Sequence, residues 1–124
     1  MLIPLKMTYQ KVRGDRMTVF MVETYVVKPD KQGEFTEFGK KYIEWTKKRT
    51  DLFKEVKSWK LFAQVLGGNF GGYVEMWEFE NLADGEKAMN RMMQDKEFIM
   101  TIIPEFASLI VPATHTINMW NSVP

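Results

Sequence analysis

The sequence predicts an α+β domain of ferredoxin-like βαββαβ topology, a four-stranded antiparallel sheet with two helices on one face. Three observations predict it. Four runs rich in β-branched and aromatic residues are interleaved with two helical stripes, in the order strand, helix, strand, strand, helix, strand. The tract Gly67-Gly68-Asn69-Phe70-Gly71-Gly72 joins the middle strands as a hairpin connection, because glycine and asparagine supply the positive φ such turns need. The first and third strands are apolar on both faces, whereas two helices on one side of a sheet cover only one of them. Two βαβ units with right-handed crossovers give the spatial strand order 4-1-3-2.

Each element has its own local reason. Met17 to Lys28 reads as the first strand. Phe20, Val22, Thr24 and Val26 point one way from it, and Val19, Met21, Glu23, Tyr25 and Val27 the other. Pro29-Asp30 ends that strand and opens a helix, where proline is tolerated in the first turn. Phe35, Phe38, Tyr42 and Trp45 form its apolar stripe, with Glu37–Lys41 and Glu44–Lys48 as i,i+4 pairs on the opposite face, and the helix fades near Thr50-Asp51. Val56 to Leu66 is the second strand and Tyr73 to Phe79 the third. Asn81 is placed to cap the second helix, whose stripe is Leu82, Ala88, Met89, Met92 and Met93. A further helical piece from Asp95 is expected to end at Pro104. Leu109 to Trp120 is the last strand, and Pro112 marks it as an edge strand or a bulge. Residues 1–16 are an extension or arm, and 17–124 a single domain.

Composition narrows the function classes. A chain of 124 residues folds without staples, and the absence of cysteine removes disulfides, thiolate metal sites and a cysteine nucleophile. A net charge of +1, with basic residues scattered among acids, gives no field to attract nucleic acid. No stretch approaches the ~20 apolar residues of a membrane span, and the first residues lack the apolar core of a secretory signal, so a cytoplasmic location is expected. The open sheet face needs a cover that the chain does not supply. A second copy provides one, which makes the expected assembly a homodimer closed into an α/β barrel.

Several stretches resemble the dimeric α/β-barrel superfamily. Val26-Val27-Lys28-Pro29-Asp30-Lys31-Gln32-Gly33-Glu34-Phe35 resembles its strand-end V-x-P-G-K-x-x-E-F pattern. The stretch from Tyr73 through Glu75, Trp77 and Glu78 to Lys87 is similar to its E-x-W-E segment, and Asp95-Lys96-Glu97-Phe98 resembles its S-p-x-F. The resemblance spans about residues 17 to 120. It implies kinship with antibiotic-biosynthesis-type monooxygenases, haem-degrading enzymes and NIPSNAP-like proteins. The histidine that haem-degrading members carry after the x-F pattern is missing from Phe98-Ile99-Met100-Thr101-Ile102-Ile103, and their first-strand asparagine corresponds to Glu23, so a haem ligand by that route is not expected.

Glu23 is the sharpest chemical candidate: a mid-strand carboxylate among apolar residues, on the face expected to line the barrel. Burial raises a carboxyl pKa and suits a general base, while an ion pair across the dimer interface explains the same residue without chemistry. His115, the sole histidine, is the second catalytic candidate. Met21, Tyr25, Tyr73, Glu75 and Trp77 are candidate ligand-binding residues, the aromatic ones able to stack on a flat ligand or equally to pack at an interface. No spacing marks a metal site, and no cofactor is implied. Two functions follow. One is a barrel that binds a small apolar or aromatic molecule, including a cofactor-free monooxygenase; it requires Glu23 or His115 to face an enclosed cavity of at least ~300 Å3. The other is a non-catalytic dimeric carrier, sensor or interaction protein, whose interior its own methionines and aromatics fill.

Overall fold

The computed structural model describes residues 18–68 and 70–123. The expected arm at 1–16 lies outside them. The elements are β1 (Val19–Val26), α1 (Gln32–Lys48), β2 (Val56–Ala63), β3 (Gly72–Phe79), α2 (Leu82–Gln94), α3 (Ile103–Leu109) and β4 (Thr116–Asn121), with a short 3-10 turn at Pro29–Lys31 leading into α1. The strands form one antiparallel sheet in the order β2-β3-β1-β4, the order the sequence predicts. Among the described residues no helix is long and apolar enough to cross a membrane.

Local chemistry accounts for most boundaries. Asn81 caps α2 by accepting the Asp84 backbone N–H at 2.8 Å. In the β2–β3 hairpin Gly71 has φ 81°, and a Cβ there would lie 3.1 Å from the Val27 carbonyl oxygen, so the tract needs glycine for both conformation and space. β2 stops at Ala63 rather than Leu66, because the glycine-rich turn takes the chain out of the ladder. Val65, Leu66 and Phe70 are left at an exposed tip.

Three expectations are corrected. Pro104 does not end the helical piece: it sits in the first turn of α3, after a π-helical turn at Phe98–Ile102. There the Ile103 N–H reaches back to the Phe98 carbonyl, and the wider turn relieves the clash a proline ring makes with the preceding turn. The last strand begins at Thr116, not Leu109. Leu109 closes α3, Ile110 makes a single bridge to Val27, and Pro112–Thr114 forms a 3-10 turn. β4 nonetheless lies at the sheet edge, as Pro112 suggests. On α1 the acids pair three residues along, Glu37 with Lys40 and Glu44 with Lys47, while Lys41 reaches across to Glu105 at 2.5 Å.

The helices pack on the sheet through two apolar clusters. One gathers Met21, Leu52, Trp77, Phe79, Ala88 and Met92; the other gathers Tyr25, Val27, Phe35, Phe38, Leu109 and Ile110. Both draw on the β1 face that carries Met21, Glu23 and Tyr25. The face expected to line a two-copy barrel is therefore the one the chain's own helices cover. A period-two pattern sorts residues into two faces without saying which one receives the helices, and here both read as apolar. The opposite face carries Phe20, Thr24, Val26 and Val74, flanked by the exposed Phe62 and Trp120.

Candidate functional site

The β1–β3 register sets Met21 opposite Trp77, Glu23 opposite Glu75 and Tyr25 opposite Tyr73. One step further out, β2 sets Trp59 beside Trp77 and Leu61 beside Glu75, and β4 sets Ile117 beside Glu23. All share the helix-covered face. Between this face and the helices lies a cavity of about 240 Å3. It falls short of the ~300 Å3 that the catalytic reading sets. Exposed Leu61, Met93 and Ile117 mark its open side.

The polar groups converge at its floor. Glu75 is 8% exposed and accepts two hydrogen bonds, from the Tyr25 hydroxyl to Oε2 at 2.6 Å and from the Trp59 indole N–H to Oε1 at 2.8 Å. Burial pushes its pKa up to about 7, and the neighbouring Glu23 charge acts in the same direction, against the two hydrogen bonds. Burial and Glu75 together push the Tyr25 phenol far above its ordinary range, so it stays a donor.

Glu23 pairs with His115 instead. His115 Nε2 lies 2.6 Å from Glu23 Oε2, with the two side chains 30% and 14% exposed. The bond to Glu23 raises the His115 pKa and favours the imidazolium, which donates to the carboxylate. The turn before β4 aims this histidine. The Thr114 hydroxyl accepts the Val26 N–H at 2.9 Å and donates to the Val111 carbonyl at 2.6 Å, pinning the turn to the end of β1. Phe106 and Tyr25 then hold the imidazole edge-on, with ring centres 5.4 and 6.1 Å away.

Of the candidate residues, Met21, Glu23, Tyr25, Glu75, Trp77 and His115 all line the cavity. Tyr73 does not. It stacks on Tyr25 at 6.0 Å and packs on Phe35 at 4.7 Å, behind the cavity wall. Two polar lining residues escape the sequence reading, Trp59 and Tyr42. The bond of Trp59 to Glu75 depends on the β2–β3 register, which no local pattern states. Tyr42 sits in the α1 stripe and looked like core. Its hydroxyl has no hydrogen-bond partner among the described residues, and burial together with the charges of Glu75 and Glu23 raises its pKa well above the usual phenol value. Among the described residues the Trp77 indole N–H is buried without a partner, as is that of Trp45. Among the described residues no three His, Asp or Glu side chains converge to hold a metal ion.

This architecture belongs to the ferredoxin-like α+β class. Within that class the chain is similar to a NIPSNAP family protein of unknown function from Agrobacterium tumefaciens, with a TM-score of 0.65 and 15% identity over 89% of this chain and 91% of the other. It is similar to an antibiotic biosynthesis monooxygenase (TM-score 0.60, 16% identity, 86% and 99% of the two chains). It is also similar to a dimeric ferredoxin-like protein of unknown function from Bacteroides fragilis (TM-score 0.60, 11% identity, 85% and 96%). No protein-family model and no curated protein matches the chain. At these identities the likeness establishes the fold.

Proposed function

We propose that this chain is a homodimer that binds a small apolar or aromatic molecule in the cavity between sheet and helices, with the carboxylates there serving acid–base chemistry. One observation carries the reading: a cavity lined by methionine and aromatic side chains in which Glu23, Glu75, His115 and two tyrosines converge. Apolar pockets with a few convergent polar groups and a shifted pKa are the usual form of a ligand site. The dimer is supported by apolar Phe20, Val22, Met76 and Val74 on the outer sheet face beside the exposed Phe62 and Trp120, among polar residues such as Lys60 and Glu78, and by a fold neighbour described as dimeric.

In its catalytic form the reading assigns Glu75 the base, since a carboxyl titrating at about 7 takes up a proton at neutral pH. His115, held as imidazolium by Glu23, is a poorer base and instead stabilises negative charge developing on the substrate. The chemistry is cofactor-free oxygenation of an acidic CH2 group. The base removes one proton, and the carbanion forms a C–O bond with O2. The hydroperoxide then loses water, leaving a C=O group and carrying off the second hydrogen. A second reading, a non-catalytic carrier, is favoured by the 240 Å3 volume and by the engagement of Glu23 and His115 with each other.

Native mass spectrometry of the purified protein tests the shared part: a dimer, with a co-purified small molecule of defined mass, is expected. A ligand-free monomer at micromolar concentration overturns it. Oxygen uptake with a bound CH2 acid separates the two forms. Catalysis predicts uptake well above the protein-free rate and at least a hundredfold loss of it in Glu75→Gln; no uptake above the protein-free rate assigns the protein to the carrier class, and an unchanged rate in Glu75→Gln overturns Glu75 as the base.

A further inference from the structure

The charges around the cavity are unbalanced. Glu23 and Glu75 stand directly opposite each other on adjacent strands, an arrangement that destabilises two like charges. Among the described residues the lining contains no lysine or arginine, and its single cationic side chain, His115, is committed to Glu23. Glu75 receives only neutral donors, a phenol and an indole. Each of its oxygens keeps acceptor capacity beyond those bonds. The Tyr42 hydroxyl, in the same cavity and within the field of both carboxylates, has no partner among the described residues. The rings of Tyr25, Tyr42, Trp59 and Trp77 line the same space, and aromatic faces attract cations most strongly where water is excluded.

We propose that the occupant of this cavity is a compact organic cation, an alkyl- or arylalkylammonium whose nitrogen lies against Glu75 and the Tyr42 hydroxyl oxygen while its apolar body fills the methionine- and phenylalanine-lined remainder. The proposal rests on the reading that a small molecule occupies the cavity. The ammonium supplies the positive charge that Glu75 lacks, its N–H groups use the open acceptor positions of Glu75 and Tyr42, and the rings replace its hydration shell. A carboxylate or phosphate ligand meets two carboxylates and is repelled.

The affinity is linked to pH. The titratable groups facing Glu75 are Glu23 and Tyr25 on β1, Tyr42 on α1 and His115 ahead of β4; α2 and the last helix turn only methionine, isoleucine, phenylalanine and alanine toward the cavity. A cation favours ionised Glu75 and competes with its proton. His115 becomes neutral as pH rises, which removes a repelling charge and acts with the same sign.

Calorimetry on the full chain with three probes of one shape tests this: 2-phenylethylamine, 2-phenylethanol and 3-phenylpropanoate. At pH 8 the amine is expected to bind at least tenfold tighter than the alcohol, with the propanoate weakest. Between pH 8 and pH 6 amine affinity falls about tenfold, as a proton on a group titrating near 7 requires, while the alcohol is unaffected. Glu75→Gln abolishes the preference for the amine, and Tyr42→Phe weakens it severalfold. Should Glu75→Gln fail to fold, the pH-dependent amine affinity against the pH-independent alcohol affinity in the unmodified chain decides the matter. An alcohol that binds as tightly as the amine overturns the cation and leaves the cavity as a small-molecule site. Failure of all three probes to bind at millimolar concentration overturns both.

Discussion

The Phe79 end of the sheet–helix layer and its middle are built from the same kinds of residue and do different work. At the Phe79 end, Phe79 and Ala88 are completely buried, and Gly85 lets α2 approach so closely that a Cβ there would meet the Met119 methyl at 2.9 Å. Among the described residues no acid or base is buried there. Two residue pairs along β1 and β3 the same layer opens into a cavity, and its floor holds two opposed carboxylates, one of them in an apolar setting that keeps it from ionising at its ordinary pH. The closed end obtains stability from tight packing. The cavity holds a buried acid, and a domain tolerates that desolvation cost only where the rest of its core offsets it.

The largest effect that sharpens this contrast comes from the closed end. Phe79→Ala is expected to lose about 3–5 kcal/mol in urea unfolding, because a fully buried ring leaves a cavity that close packing cannot refill. A loss under 1 kcal/mol would show that this end is not close-packed.

The next effect is a pH dependence peculiar to the cavity. Glu75 has a folded pKa raised from about 4.5 to about 7, so the folded state binds more protons than the unfolded one between these values, and stability falls as pH rises through that window. His115, raised by Glu23, contributes stability that is present below its unfolded pKa near 6.5 and is lost as pH rises through its higher folded value. Both act in one direction. Chemical denaturation at pH 5 and pH 8 should give a protein on the order of 2–3 kcal/mol more stable at pH 5, with most of the difference gone in Glu75→Gln. Equal stability at the two pH values would mean that Glu75 is not buried as an acid.

Smaller effects test individual contacts. Tyr25→Phe removes the 2.6 Å donor to Glu75 and should cost about 1–2 kcal/mol at pH 8, where the carboxylate is ionised, but less at pH 5. A cost that does not change with pH would assign Tyr25 to packing alone. The smallest belongs to the surface, where Lys41→Ala breaks the exposed bridge to Glu105 and should shift stability by less than about 1 kcal/mol.

The sequence by itself determined the four strands, the two long helices and their order, but not the short helix Ile103–Leu109. Helical stripes and alternating strands have periods that can be read one residue at a time, and the glycine tract and Asn81 carry their turn and cap chemistry locally. With right-handed crossovers these fix the β2-β3-β1-β4 order. The alternation also grouped Met21, Glu23 and Tyr25 on one face, and the structure brings them together with Glu75, Trp77 and His115. Which face the helices cover was not legible, because both faces of β1 are apolar. Register was not legible either: that Glu23 opposes Glu75, that Trp59 reaches Glu75 and that Tyr42 meets the same space all depend on how strands slide and how α1 lies across them. Pairing between residues 16 to 92 positions apart is decided by packing the whole layer at once, so the tertiary structure alone turned scattered acids, a histidine and aromatics into one cavity.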